Sequence, residues 1–175
     1  AIARLNVEEE AAKALTKALS PSEGLIAEGL LGFIRNFTNQ MNGLIRKIWT
    51  YPLQLQDCGV ASETRAELDY KFPLIVQTKS NVVSDISKGS RGQQEIINLA
   101  FRIISMRYLG LSESPLFLDE FAQSFDPEHR SSASLAIKNL LEQYSFTQLF
   151  MVSHDYHQYG SLGQLEVCVL DARNI

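Results

Sequence analysis

The sequence predicts an α/β fold: a mostly parallel sheet flanked by helices, preceded by a coiled-coil-like helical arm and a β-hairpin. Three observations carry this. Leu116-Phe117-Leu118 and Leu149-Phe150-Met151-Val152 are short, unbroken apolar runs, the mark of strands in a parallel sheet rather than of half-exposed ones. Helix-length stretches precede and separate them, and such alternation argues for parallel strands with helices on both faces. Ahead of them, residues 2–49 show helical spacing with a single break at Ser20-Pro21.

The chain has 175 residues, enough for one domain with a substantial core. Hydrophobic residues make up 45% and charged residues 21%, which marks a globular rather than a disordered chain. The net charge of -4 argues against a surface that grips nucleic acid everywhere, and leaves room for a local basic patch. Cys58 and Cys168 lie far apart, with no paired metal-ligand spacing, which fits a reducing, intracellular home. No apolar run is long enough to cross a bilayer and the first residues lack a signal-peptide core, so a cytoplasmic location with no membrane partner is expected. The chain opens in mid-pattern on Ala1-Ile2-Ala3-Arg4-Leu5 and is expected to be part of something longer.

Taken in order, residues 2–19 read as a helix in which Glu8, Glu9 and Glu10 stand ahead of Lys13 and Lys17 at pairing distance. Ser20-Pro21-Ser22-Glu23 reads as a fresh start, with Ser20 as N-cap, Pro21 at the first helical position and Glu23 closing a capping box. This second helix runs to about Trp49. Leu30, Phe33, Ile34, Phe37, Met41, Leu44, Ile45 and Ile48 are its apolar positions, and four glycines make it lean on tertiary packing. A coiled-coil return arm and a plain core helix fit it equally. Residues 51–56 and 68–76 alternate and read as a hairpin, with a turn at 57–64 and edge positions at Pro52 and Pro73. A loop spans 77–92 and a helix continues to about Leu109. A strand at 115–118 follows, then a helix from Asp126-Pro127-Glu128 to about Tyr144. Strands at 148–152 and 165–170 end the pattern.

Ser87-Lys88-Gly89-Ser90-Arg91-Gly92-Gln93-Gln94-Glu95 is polar and glycine-rich, and the helix it opens has apolar residues at 96, 97, 99, 100, 103 and 104. Such a loop aims free N–H groups and a positive dipole end forward, which suits phosphate oxygens. An ordinary capped helix, with Ser90 as N-cap, fits the same residues. Asp119 and Glu120 end an apolar strand, and adjacent carboxylates there repel unless a cation or its waters offsets them. Asp119 is therefore a candidate to hold Mg²⁺, and Glu120 to orient or deprotonate water; strand-end acids in solvent are the plain alternative. His154 ends the next strand and either faces the same ligand or is a surface histidine. Asp126 also fits a simple N-cap.

In this order the motifs resemble the C-terminal half of an ABC-type ATPase head. Ser90-Arg91-Gly92-Gln93 resembles the signature motif, Leu116-Phe117-Leu118-Asp119-Glu120 the Walker B strand, Ser124-Phe125-Asp126 the D-loop, and His154 the switch histidine. Within that superfamily the chain is most similar to the SMC/SbcC/RecN group of DNA-acting ATPases, because a long helix ending near Ile45-Arg46-Lys47-Ile48-Trp49 and a hairpin precede the signature. The likeness covers residues 25–175. Arg91 stands where a glycine is usual, and Gly89 where a hydrophobic residue is. No Gly-x-x-x-x-Gly-Lys-Ser/Thr phosphate loop occurs, so the chain resembles half a head: an arm at 1–49 and a C-terminal lobe at 50–175.

The resemblance implies an ATPase that turns over only with the N-terminal lobe that carries the phosphate loop, with ATP and Mg²⁺ as cofactors. Two heads would sandwich two ATP molecules. Ser90, Arg91, Gly92 and Gln93 would reach the γ-phosphate held by the opposite head, and Asp126 would sit between heads. Asp119 would hold the metal, and Glu120 and His154 would act on their own head's nucleotide. DNA is the implied partner, with an SbcD-like nuclease or another accessory subunit. Three classes stay open: the ATPase of a DNA-repair nuclease complex, an SMC-like DNA clamp or anti-phage defence ATPase without that nuclease, and a catalytically silent head. Ser90, Glu120 and His154 disfavour the last.

Overall fold

The computed structural model describes residues 2–20, 24–58, 71–76, 82–111, 113–143 and 148–154, together with 157, 159, 166 and 168. Most of the expected turn at 57–64 lies outside these residues, as do 21–23 and all but two positions of the expected strand at 165–170. The chain divides into two compact units, Ala1–Gly43 with Pro52–Gly89, and Leu44–Tyr51 with Ser90–Ile175. No helix among the described residues is long and apolar enough to cross a membrane.

In the first unit, α1 (Ile2–Ala18) buries no residue. It carries exposed pairs between Arg4 and Glu8 (3.0 Å) and between Glu9 and Lys13 (2.6 Å). Helix α2 (Leu25–Ile48) begins later than the Ser20 signal implied. Gly24 explains the tight return: a Cβ there would lie 2.2 Å from the Ala18 carbonyl oxygen, so only glycine lets the chain fold back. The apolar stripe of α2 is buried at Met41, Leu44, Ile45 and Ile48, whereas Leu25, Ile26, Leu30 and Phe33 are exposed.

Strands β1 (Leu53–Leu55), β2 (Leu74–Val76) and β3 (Val82–Val83) form an antiparallel sheet in that order. The expected hairpin pairing is present, with Leu53 opposite Val76 and Leu55 opposite Leu74. Residues 71–73 are not strand, contrary to the alternation read there. Pro73 has no N–H for a ladder, and its carbonyl instead accepts from the Gln56 N–H at 2.8 Å. Asn42, buried on α2, takes the place of a ladder partner for β1: its side chain donates to the Leu55 carbonyl and accepts from the Leu55 N–H, each at 2.8 Å. The stretch read as loop holds β3 and a 3-10 turn at Ile86–Lys88 capped by Asp85, both too short to leave a periodic signal.

The second unit contains α3 (Arg91–Tyr108), β4 (Leu116–Asp119), α4 (Pro127–Gln143) and β5 (Leu149–Val152). Strands β4 and β5 pair in parallel, Leu116 opposite Leu149 through Asp119 opposite Val152. Helix α3 buries Ile96, Ile97, Leu99, Ala100, Ile103 and Ile104, the positions its spacing selected. On β4, Leu116 and Leu118 are buried but Phe117 is 61% exposed, and on β5 Phe150 and Val152 are exposed. Phe117 and Phe150 stack with centroids 5.0 Å apart. An unbroken apolar run shows that both faces of a strand are apolar, not what covers them, and here one face is open. Trp49 stacks on the buried His129 ring at 4.1 Å and meets Tyr51 and Phe125 edge-on at 5.2 and 5.3 Å.

Candidate active site

The register of β4 and β5 brings their carboxyl ends side by side. Asp119 is opposite Val152, and the next N–H, that of Glu120, donates to the Val152 carbonyl at 2.9 Å. Glu120 and His154 therefore emerge together, with His154 Nε2 3.4 Å from Glu120 Oε1. The histidine ring is 92% exposed and the Glu120 side chain 28%. Glu120 Oε2 is buried and has no hydrogen-bond partner among the described residues. A buried carboxylate oxygen left unpaired is unfavourable. Asp119 is exposed at the strand end. No group of three or more metal-ligating side chains occurs among the described residues. The donor set is thus Asp119 with Glu120 beside it. That fits Mg²⁺, which keeps several waters and takes one or two carboxylates plus phosphate oxygens, and would not cage a larger ion.

Past the strand, the backbone is strained. Glu120 and Ala122 have φ of 48° and 63° without being glycine, at roughly 1–3 kcal/mol each. Three side chains hold this turn. The Ala122 N–H donates to a Glu95 carboxylate oxygen. Arg130 donates to the carbonyls of Ala122 (3.2 Å), Gln123 (3.3 Å) and Phe125 (3.0 Å). The Tyr159 hydroxyl donates to the Phe121 carbonyl. Burial pushes the Glu95 carboxyl above its ordinary value, while hydrogen bonds from Ala122 and Ser124 and the Arg130 charge pull the other way. Burial likewise raises the Tyr159 phenol. Sequence reasoning passed over all three. A signal existed for Glu95 alone: it lies three residues after Gly92 and four before Leu99, on the stripe that α3 buries.

At the start of α3 the capped-helix reading of Ser90 is present. Ser90 is the N-cap, its Oγ accepting from the Gln93 N–H at 3.3 Å while the Gln93 side chain accepts from the Ser90 N–H at 2.9 Å. The hydroxyl keeps its own proton to donate outward. The N–H groups of Arg91 and Gly92, in the first turn, have no intrahelical acceptor. Ser90 and Arg91 are exposed; Gly92 and Gln93 are buried. Gly92 is wanted for packing: a Cβ there would sit 3.3 Å from the Ser124 carbonyl oxygen, 3.3 Å from the Trp49 ring and 3.5 Å from the Phe125 ring. The helix start is thereby seated on Ser124-Phe125.

Asp126 caps α4. Its Oδ1 accepts from the His129 N–H at 2.9 Å, and its Oδ2 lies 2.5 Å from His129 Nδ1. These contacts, the backbone one foremost, hold its carboxyl below the ordinary value. The Thr50 N–H donates to His129 Nε2 at 3.3 Å, with Thr50 Oγ1 at 3.0 Å, so the imidazole proton resides on Nδ1, facing Asp126. The expected residues thus form two clusters. Asp119, Glu120 and His154 gather at the strand ends; Ser90–Gln93 gather on the 124–125 backbone, and Glu95 connects the two.

No family model and no curated protein sequence matches the chain. Solved structures do. A structure from work on the ATP-driven dimerization and DNA-stimulated activation of SMC ATPases matches with a TM-score of 0.59 and 13% identity, over 82% of this chain and 84% of that one. The Smc head domain with an extended coiled coil bound to the C-terminal domain of ScpA, from Pyrococcus furiosus, matches with a TM-score of 0.49 and 12% identity, over 74% of this chain and 29% of that one. At such identity the first match speaks for the fold: the chain has a fold similar to that of an SMC ATPase head.

Proposed function

We propose that the chain is the C-terminal lobe of an SMC-like ATPase head, with an arm at 1–49 and the lobe at 50–175. It hydrolyses ATP once joined by a lobe that carries a phosphate loop and by a second head. The observation that carries this reading is Glu120. It stands one residue past a parallel strand, on a left-handed backbone, with one oxygen beside His154 and the other buried and unpaired. That is a carboxylate set to orient and deprotonate water, with His154 positioned to contact the same ligand. Asp119 would hold Mg²⁺, which would supply charge neutralisation for the phosphate groups. Ser90, with the first-turn N–H groups of Arg91 and Gly92 beside Gln93, would meet the γ-phosphate of the opposite head's nucleotide. Asp126 would lie at the head–head contact, its carboxylate oriented by His129. The exposed Phe117, Phe150 and Val152 form an apolar face on which the N-terminal lobe would pack.

Finer readings follow the same line. The arm and hairpin ahead of Ser90 favour the SMC/SbcC/RecN group, and within it the reading is an SbcC-like subunit working on DNA in repair with an SbcD-like nuclease. An SMC-like clamp or anti-phage defence ATPase without that nuclease is the alternative. The test is Glu120→Gln in the assembled head. It keeps shape and one acceptor but removes the base, so turnover should fall roughly a hundredfold or more while ATP binding survives and the heads accumulate closed. Asp119→Asn should instead weaken nucleotide handling. Wild-type turnover in Glu120→Gln would overturn the reading.

A further inference from the structure

We infer that Glu95 is a positioning residue that ties the helix begun by Ser90 to the turn that carries Glu120, and so makes catalysis at one nucleotide depend on contact with the other. This rests on the ATPase reading above and adds a coupling element to it. Glu95 lies in α3 five residues after Ser90, on the same continuous helix. Its carboxylate accepts from the Ala122 N–H, and from both the N–H and the hydroxyl of Ser124. Arg130, whose charge faces Glu95, grips the carbonyls of the same turn. Together they fix both the donors and the acceptors of 122–125.

The turn needs such fixing. Ala122 and Glu120 both sit in the left-handed region, which a non-glycine residue keeps only when its surroundings over-determine it. Glu120 is two residues from the amide that Glu95 holds, so its carboxylate points where this turn directs it. A displacement of the Ser90 end of α3 would reach the Ala122 amide through the Glu95 side chain, alongside the seating of Gly92 on Ser124-Phe125. In a two-head assembly Ser90 faces the opposite head's nucleotide, whereas Glu120 faces its own. Glu95 then connects occupancy of the first to water positioning at the second. A plain structural acid would not have this consequence.

The test compares ATP turnover of the complete assembled head with amide hydrogen exchange of the same protein. Glu95→Ala should lower kcat by roughly ten- to a hundredfold, the scale of one lost charge-assisted hydrogen bond, with KM little changed. The ATP dependence should lose its cooperativity, and the Ala122 amide should exchange faster. Glu95→Gln keeps one acceptor oxygen and should restore part of kcat. Ser124→Ala, which removes only one partner, should show a smaller loss of the same kind and decides the matter if Glu95→Ala fails to fold. The inference is overturned if kcat and cooperativity survive Glu95→Ala, or if Ala122 protection is unchanged in it. Glu120→Gln serves as control: wild-type turnover there sinks the ATPase reading, while the exchange rate of Ala122 still reports separately on the Glu95 contact.

Discussion

Gly92→Ala tests how the start of α3 is built. The added methyl would meet the Ser124 carbonyl oxygen and the Trp49 ring at 3.3 Å and the Phe125 ring at 3.5 Å. Favourable carbon contacts lie at about 3.5–4.0 Å, so a neighbour must yield by a few tenths of an ångström. None is free to do so easily. The 122–125 backbone is held by Glu95 and Arg130, and Trp49 is wedged among His129, Tyr51 and Phe125. Overpacking of this kind costs about 1–3 kcal/mol. Against it stands the helical preference for alanine over glycine, up to about 1 kcal/mol. The net expectation is a loss of about 0–2 kcal/mol.

Gly32 supplies the comparison. It is also helical, but a Cβ there meets nothing within 4 Å, so Gly32→Ala should gain about 0.5–1 kcal/mol from propensity alone. Urea unfolding of both variants beside the parent measures the difference, which should be about 0.5–3 kcal/mol in favour of Gly32→Ala. If Gly92→Ala stabilises as much as Gly32→Ala, the close seating of α3 on Ser124 and Trp49 is wrong. Gly92 would then need a ligand, not packing, to explain it.

Two further outcomes follow from single contacts. Asn42→Ala leaves the Leu55 N–H and carbonyl without their buried partners and should lower stability by about 2–4 kcal/mol in urea unfolding. Asp126 has a folded-state carboxyl below its ordinary 3.8; its contribution is present above that pH and is lost as pH falls through the lower folded value, so melting temperatures between pH 5 and pH 2, roughly, should drop less in Asp126→Asn than in the parent.

The elements with long, strong periodicity were legible before any coordinates. All six apolar positions singled out on α3 are buried, α4 starts at Pro127, and the parallel pair falls on the two apolar runs. The cap expected at Ser90 is present, as a full capping box with Gln93. What escaped has physical reasons. Strand β3 has two residues and no period to detect. The late start of α2 follows from the backbone approach at Gly24, which spacing does not encode. Glu95 reaches Ala122 across 27 positions and Tyr159 reaches Phe121 across 38, and no local pattern announces such pairs.

The missed residues explain how the legible ones can work. Asp119-Glu120 at a strand end is a recognisable pair, yet a strand end alone does not aim a carboxylate. The aim comes from a turn in which Glu120 and Ala122 adopt conformations that glycine would take more cheaply. Glycine there would relax the backbone and leave Glu120 a wider range of directions. The chain instead keeps side-chain-bearing residues and holds them with Glu95, Arg130 and Tyr159. Strain at 120–122 and the buried, half-desolvated Glu95 are two sides of one arrangement: each is unfavourable alone, and each is stabilised by the hydrogen bond that joins them.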